Sequence, residues 1–129
     1  MSRQALLERS LRENPRPLVI ANADIAAPRE NGFSQEPGHF GHLLLDQMKY
    51  EIQFFGKPFA EIYTLAEVSL AGILPNRIAM IGDTLHTDII GAAARGWRTV
   101  LVTQDGMFAG HNAQVYCSCS LITPNWITK

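Results

Sequence analysis

The sequence predicts an α/β fold, a three-layer sandwich around a mainly parallel sheet, and two observations lead to this prediction. First, apolar runs of strand length alternate with segments whose apolar residues recur at helical spacing, and short turns join them. Second, the 129 residues are 47% hydrophobic and 18% charged, which is typical of one compact core. Alternating strands and helices with short connections indicate a parallel sheet covered on both faces.

The first part of the chain is predicted to be a helical lead-in. Leucines at helical spacing indicate a short amphipathic helix at 5–13, and Pro15 and Pro17 prevent it from continuing. We therefore divide the chain into a lead-in, residues 1–16, and a core portion, residues 17–129.

The core portion is predicted to begin with a buried strand at 18–21, which ends at the sequence Asn22-Ala23-Asp24. Turn-forming residues then predict a loop at 28–38, and an apolar face predicts a helix at 41–53. A minimal strand, 53–55, enters Gly56-Lys57-Pro58. Pro58 suits the first position of the next helix, where its missing N–H costs nothing.

Three further elements complete the predicted α/β pattern: a strand at 77–81, a helix at 85–95 and a strand at 98–103. After Gly106 the periodicity is lost, and 124–127 indicates a short terminal strand or a packed tail. The sequence Cys117-Ser118-Cys119 has no partner pair at zinc-site spacing, and we interpret it as a loop or an edge strand.

Two acidic residues and one lysine mark a candidate site. Asp83 stands where the 77–81 strand ends, Asp88 lies in the first turn of the following helix, and Lys57 follows another apolar run. Ligands gather at the carboxyl ends of parallel strands, so these side chains are expected to converge. Paired carboxylates with oxygen-only ligation favour Mg²⁺, and a lysine would neutralise a phosphate. Alternatively, the aspartates only stabilise a helix start and Lys57 is a solvated bystander.

The residues that carry this pattern resemble the haloacid dehalogenase-like hydrolase superfamily, and in particular its phosphatase branch with a large α/β cap. Gly56-Lys57-Pro58 looks like the lysine motif of that family, and the segment 82–92 looks like its acidic motif. The resemblance runs from about residue 18 to residue 127. Asn22-Ala23-Asp24 is similar to the segment that returns from cap to core, although Ala23 replaces the usual proline.

The resemblance implies a Rossmann-like core and roles for individual residues. Lys57 would be catalytic and would hold the transferring phosphoryl group, Asp83 and Asp88 would bind Mg²⁺, and Asn22, Asp24 and Lys57 would contact a small phosphorylated substrate. The complete parent would hydrolyse phosphomonoesters through an aspartyl-phosphate.

The resemblance also exposes a gap, because family members carry a nucleophilic Asp-x-Asp motif that this sequence lacks. Asp24 follows an apolar run, but Ala26 stands where the second aspartate belongs, so a turn or cap-contact role is favoured for Asp24. We therefore expect an incomplete core that is inactive alone. Its sheet edge would be open to a second copy or to the missing N-terminal part.

A second hypothesis is a non-catalytic module that self-associates through this exposed edge. A net charge of −1 with mixed signs argues against nucleic acid as a partner. The absence of a long apolar stretch argues against a membrane, and a cytoplasmic setting is expected.

Overall fold

The computed structural model describes residues 2–128, which form five α-helices and seven short strands. The helices are α1 (Arg3–Glu13), α2 (Pro37–Met48), α3 (Ala60–Ser69), α4 (Ile90–Ala94) and α5 (Ala113–Ser120). The strands are β1 (Leu18–Ile20), β2 (Ala26–Arg29), β3 (Gly32–Gln35), β4 (Ile52–Phe54), β5 (Ala79–Gly82), β6 (Arg98–Val102) and β7 (Trp126–Thr128).

The parallel strands lie in two small sheets. Strand β1 pairs with β4, and the second sheet has the order β5-β6-β7. The remaining pair, β2 and β3, is an antiparallel hairpin. The α/β class with mainly parallel strands is therefore confirmed, and the small size of the sheets agrees with an incomplete fold. The single continuous sheet that the sequence suggested is divided in two.

One face of the β5-β6-β7 sheet is buried and the other is largely exposed. Thr99 and Leu101 of β6 point to the buried face, where they are 2% and 0% exposed. Side chains aligned in register across parallel strands share a face, so Ile81, Val100 and Trp126 lie together on the opposite side. We call these three residues the open sheet face. Ile81 is 66% exposed and Trp126 is 54% exposed, so the expectation of cover on both faces fails here.

Several predicted elements have different boundaries in the structure. The turn-rich segment 28–38 contributes most of the β2–β3 hairpin instead of a loop. The helix predicted at 41–53 runs from Pro37 to Met48, because the proline suits a first turn and Lys49 ends the helix in a left-handed conformation. The two cysteines lie in α5, a helix that the sequence analysis did not predict. The lead-in helix and the terminal strand β7 are confirmed.

Helix α3 is fixed to the β5-β6-β7 unit by a polar cluster. Glu67 accepts hydrogen bonds from Nε of Arg95 and from Nε1 of Trp97, both at 3.1 Å, and forms an ion pair with Arg95. The hydrogen bond from Arg95 is the main cause that lowers the pKa of the Glu67 carboxyl. Beneath this cluster, Tyr63 packs edge-on against Trp97. These contacts hold the helix that follows Lys57 against the unit that carries Asp83 and Asp88.

The buried face of the β5-β6-β7 sheet also carries an apolar cluster that includes Leu85, Ile89, Leu101 and Phe108. This cluster supports the turn that follows β5, which is where the acidic residues lie. No helix within residues 2–128 is both long and apolar enough to cross a bilayer.

The burial of α2 generates a stability prediction. Leu44 is 0% exposed and its neighbour Leu45 is 38% exposed. We expect Leu44→Ala to lower the free energy of unfolding by about 2–5 kcal/mol, because it removes buried apolar contacts and leaves a cavity. The matched change Leu45→Ala should alter it by about 0.5 kcal/mol or less. Urea denaturation followed by circular dichroism measures both, and equal losses would contradict this packing of α2.

Candidate active site

Lys57 stands on a tight turn directly after β4. The turn closes through a 2.9 Å hydrogen bond from the Phe59 amide to the Gly56 carbonyl, and Gly56 has a φ of +84°. The peptide between Lys57 and Pro58 is cis, and α3 begins only at Ala60. The expectation that Pro58 opens the helix is therefore wrong, because Pro58 belongs to the turn that presents Lys57.

Asp83 and Asp88 lie on the connection between β5 and α4. Asp83 directly follows β5, and Asp88 lies within a single π-helical turn, Leu85–Ile89, that precedes α4. The Thr84 carbonyl accepts hydrogen bonds from the amides of both Asp88 and Ile89, which produces the wider turn. The predicted helix 85–95 is thus a π turn followed by a short α-helix. Isolated π turns are frequent at functional sites.

The Lys57 ammonium forms an ion pair with Oδ1 of Asp88. The Asp88 side chain is only 3% exposed, whereas the Lys57 side chain is 39% exposed. The second carboxylate oxygen, Oδ2, accepts a 3.2 Å hydrogen bond from the Thr84 amide. Both oxygens of this buried carboxylate therefore have donors, as a buried charge requires.

Asp83 is held by groups on both sides. Its Oδ1 accepts from the Thr84 hydroxyl at 3.2 Å, and its Oδ2 accepts from the Met107 amide at 3.0 Å. Gly106, with a φ of +83°, lies so close that a Cβ there would overlap the Asp83 carboxylate. Because Thr84 contacts both Asp83 and Asp88, the two carboxylates and the Lys57 ammonium belong to one connected site.

Tyr63 supports the π turn from below. Its hydroxyl donates a 2.8 Å hydrogen bond to the Thr87 carbonyl, next to Asp88 in the chain. Burial, and then the nearby Asp88 carboxylate, raise the pKa of Tyr63 to about 12. The neutral phenol is therefore the form that holds the turn.

Mg²⁺ is the metal that the resemblance implies for this site. Within residues 2–128 no cluster of three or more His, Cys, Asp or Glu side chains surrounds a metal position. Mg²⁺, however, is commonly held by one or two carboxylates, with water and substrate phosphate completing the shell. Asp83 fits this arrangement because its carboxylate is partly exposed and is held by Thr84 and Met107. Asp88 is already engaged by Lys57.

Asn22 and Asp24 form a turn at the end of β1. The Asn22 side chain accepts a 3.0 Å hydrogen bond from the Asp24 amide, which is a local turn contact. Asp24 lines a cavity of about 390 Å³ together with Pro58, Thr84 and Thr87. Two buried oxygens of these residues, Oδ1 of Asp24 and Oγ1 of Thr87, have no hydrogen-bond partner. The Asp24 turn therefore borders the site next to Lys57, with unsatisfied polar groups beside it.

The sequence analysis missed four residues that position the site: Thr84 through its backbone and hydroxyl, Met107 through its amide, Thr87 through its carbonyl and Tyr63 through its phenol. A local contact of Thr84 could have been inferred, because short hydroxyl side chains at turns commonly form hydrogen bonds with nearby groups of the chain. The contact of the Met107 amide could not be predicted, because a backbone amide does not depend on the type of side chain. Tyr63 lies among apolar residues at helical spacing, a pattern that predicts packing and does not reveal the hydrogen-bond partner of its hydroxyl.

Comparison with known proteins gives a consistent family signal. A family model described as HAD-hydrolase-like matches residues 54–116, the segment that contains Lys57, Asp83 and Asp88. An acid sugar phosphatase from Staphylococcus aureus (strain MRSA252) is 29% identical over 84 residues, which are 65% of this chain and 32% of that protein.

Solved structures share the fold. A possible sugar phosphatase of the HAD superfamily from Cytophaga hutchinsonii superposes with a TM-score of 0.78 at 26% identity and covers 98% of this chain and 45% of its own. A p-nitrophenyl phosphatase from Archaeoglobus fulgidus gives a TM-score of 0.71 at 22% identity, over 100% of this chain and 51% of its own. The chain thus spans about a third of the curated relative and about half of these structures.

The raised pKa of Tyr63 generates a pH prediction. The unfolded phenol loses its proton near pH 10, whereas the folded phenol keeps it to about 12. The stability that Tyr63 contributes is therefore complete below pH 10 and is lost as the pH rises toward 12. The difference in free energy of unfolding between the wild type and Tyr63→Phe should shrink across this window. A difference that stays constant from pH 9 to 12 would contradict the buried environment of the phenol.

Proposed function

Because the chain belongs to the haloacid dehalogenase-like hydrolase superfamily, we propose that it supplies the lysine and metal-binding part of a Mg²⁺-dependent phosphomonoester hydrolase. The observation that carries this proposal is the connected site in which Thr84 contacts both carboxylates and Lys57 pairs with one of them. A partly exposed lysine ammonium that is held by a buried carboxylate is suited to a phosphate ester.

The geometry supports the following proposed roles. Asp83 would hold Mg²⁺, because its carboxylate is partly exposed and fixed by Thr84 and Met107. Asp88 orients Lys57 and could reach the metal through water. Bound Mg²⁺ supplies positive charge that stabilises the transferring phosphoryl group. Lys57, whose side chain is 39% exposed, would be the catalytic residue that neutralises the same group.

The turn at Asn22 and Asp24 is proposed to contact the substrate. Asp24 borders the same cavity as Pro58 and Thr84, and one of its carboxylate oxygens lacks a partner. The names of the relatives support a small phosphate ester as the substrate. The cytoplasm is the proposed setting.

The nucleophile is proposed to come from outside this sequence. The sequence contains no Asp-x-Asp motif, and both aspartates of the connected site are engaged in holding it together. The covalent route requires an unengaged carboxylate that attacks phosphorus. We therefore expect the isolated chain to bind metal and phosphate but to turn over phosphomonoesters poorly.

Metal binding and turnover can be measured on the same variants. We expect Asp83→Asn to weaken Mg²⁺ binding at least about tenfold in calorimetric titration, because one full ligand charge is removed. The matched change Asp46→Asn, at an exposed position of α2, should leave binding unchanged. Equal Mg²⁺ affinity in Asp83→Asn and wild type would refute the proposed metal ligand.

Hydrolysis of p-nitrophenyl phosphate tests the source of the nucleophile. We expect little turnover by the chain with Mg²⁺, and the same low rate after Asp24→Asn. Turnover that Asp24→Asn alone abolishes, with Mg²⁺ binding intact, would show that Asp24 is the nucleophile and that the chain is catalytically complete.

A second candidate function is a non-catalytic module that self-associates, and the β5-β6-β7 sheet favours it. Within the described residues, β5 pairs only with β6, so its other edge is free. The open sheet face adds exposed apolar area beside that edge. Free edges of this kind pair readily with another chain, either a second copy or the missing N-terminal part.

Sedimentation analysis tests whether the chain associates with a second copy of itself or remains a monomer. We expect the wild-type chain to self-associate and Ile81→Lys to shift it toward monomer, because a charge would be buried at the contact. Val115→Lys, on the exposed side of α5, is the control and should leave the association unchanged. A wild-type chain that stays monomeric at high concentration would contradict self-association.

A further inference from the structure

The tip of the β2–β3 hairpin carries the pair Asn31-Gly32, which lies outside the candidate active site. Arg29 pairs with Gly32 across the two strands, so Glu30 and Asn31 form the connecting turn. Asn31 and Gly32 are both exposed, and a Cβ placed on Gly32 would meet no atom within 4 Å. Neither packing nor a side chain on Gly32 therefore hinders the backbone that follows Asn31.

The side chain of Asn31 forms no hydrogen bond within residues 2–128. Three other asparagines are held in place, because their Oδ1 atoms accept hydrogen bonds from backbone amides at 3.0, 3.1 and 2.9 Å: Asn22, Asn112 and Asn125. The carboxamide of Asn31 can therefore turn toward its own main chain without first losing a partner, whereas these three cannot.

The remaining asparagines are blocked by the residue that follows them. Asn14 precedes Pro15, which has no backbone N–H. Asn76 precedes Arg77, whose amide donates a 2.9 Å hydrogen bond to the Leu74 carbonyl. Asn31 thus combines an unengaged carboxamide with an unhindered glycine amide next to it.

This combination favours an intramolecular reaction of the carboxamide, because the two reacting groups are already held close together. Hydroxide removes the proton of the Gly32 amide, and the nitrogen attacks Cγ of Asn31. A bond forms between this nitrogen and Cγ, and the bond from Cγ to Nδ2 breaks. Ammonia leaves with a proton taken from water, which regenerates hydroxide, and the remaining product is a cyclic imide.

Water then opens the imide at one of its two carbonyls. Addition at Cγ gives aspartate, whereas addition at the backbone carbonyl carbon gives isoaspartate, in which the main chain runs through the side-chain carbons of residue 31. Either product adds a negative charge to a chain whose net charge is −1. Isoaspartate also lengthens the main chain at the turn, and the register of a hairpin depends on the length of its turn.

The hairpin borders the candidate active site, so a change in its register would be felt there. Phe33 lines a cavity of about 660 Å³ together with Thr84 and Met107. Ala26 lines the cavity of about 390 Å³ together with Asp24. A two-stranded antiparallel pair is only marginally stable by itself, so an altered turn is sufficient to loosen both of these walls.

We propose that Asn31 is a site of spontaneous deamidation, and that its isoaspartate product loosens the hairpin that borders the candidate active site. The reaction needs only water and hydroxide. It is independent of the proposed function, because neither a metal nor a phosphate ester takes part in it.

Incubation of the full chain in mildly alkaline buffer, followed by peptide mass spectrometry, tests the modification. We expect Asn31 to convert at least about tenfold faster than Asn22, Asn112 or Asn125, because a hydrogen bond must open before each of these can react. An acidic fraction should appear in ion-exchange chromatography at the same rate as the conversion of Asn31.

Two variants locate the reaction. Asn31→Gln should remove the acidic fraction, because the longer side chain would have to close a larger and less favourable ring. Asn14→Gln, at an exposed position before Pro15, is the matched control and should leave the fraction unchanged.

Hydrogen exchange of the acidic fraction tests the effect on the hairpin. For residues 26–35 we expect two populations, one that exchanges as in the unmodified chain and one that carries isoaspartate and exchanges at least about tenfold faster. Freshly prepared Asn31→Asp is the control, because it adds the charge without lengthening the main chain. Its hairpin should exchange at the rate of the wild type.

Each part of the proposal has a result that would overturn it. An intact Asn31 when other asparagines have converted, or no conversion at all, would overturn the modification site. Slow exchange of the peptide that contains isoaspartate would overturn the effect on the hairpin. Equally fast exchange in Asn31→Asp would overturn the lengthened main chain as its cause and would assign the effect to charge.

Discussion

The ion pair between Lys57 and Asp88 is the interaction on which the site depends. It joins the turn after β4 to the turn after β5, and these two strands belong to separate sheets. A carboxylate that is almost fully buried is tolerated only with donors on its oxygens, and Lys57 and the Thr84 amide are those donors. Because an unpaired Asp88 carboxylate would be unfavourable, this ion pair holds the β1-β4 sheet and the β5-β6-β7 sheet in one relative position.

Thr84 extends this constraint to the rest of the site. Its amide binds Asp88, its hydroxyl binds Asp83 and its carbonyl accepts the two amides that create the π turn. Thr84 also lines a cavity of about 660 Å³ together with Met107 and Phe108. One short residue therefore belongs both to the charged site and to the wall of this cavity.

The acidic and lysine residues could be predicted because strand ends and helix starts leave a clear pattern. Asp83, Asp88 and Lys57 each follow an apolar run, and the structure brings them together. The hairpin was missed because the strands of 26–35 carry proline and charged residues and few apolar ones. Helix α5 was missed because its polar residues hide a weak periodicity, and burial of Ala113 and Cys117 against the core stabilises it. The formation of the hairpin and of α5 therefore depends on tertiary packing, which local propensity does not predict.

The division into two parallel sheets was beyond sequence reasoning for a different reason. Strand pairing depends on which neighbours are available, and the apolar runs at 18–20 and 79–82 look equally suited to one sheet. The pattern of apolar side chains indicates which residues are buried, but it does not predict which strands pair with each other.

The open sheet face has a consequence for how the protein behaves at high concentration. With 11 basic and 12 acidic residues, the molecule carries almost no net charge near neutral pH, so little electrostatic repulsion keeps copies apart. Contact between the uncovered apolar strands of two copies would therefore meet little electrostatic opposition. Solubility in the cell would consequently depend on how quickly this surface is covered after synthesis.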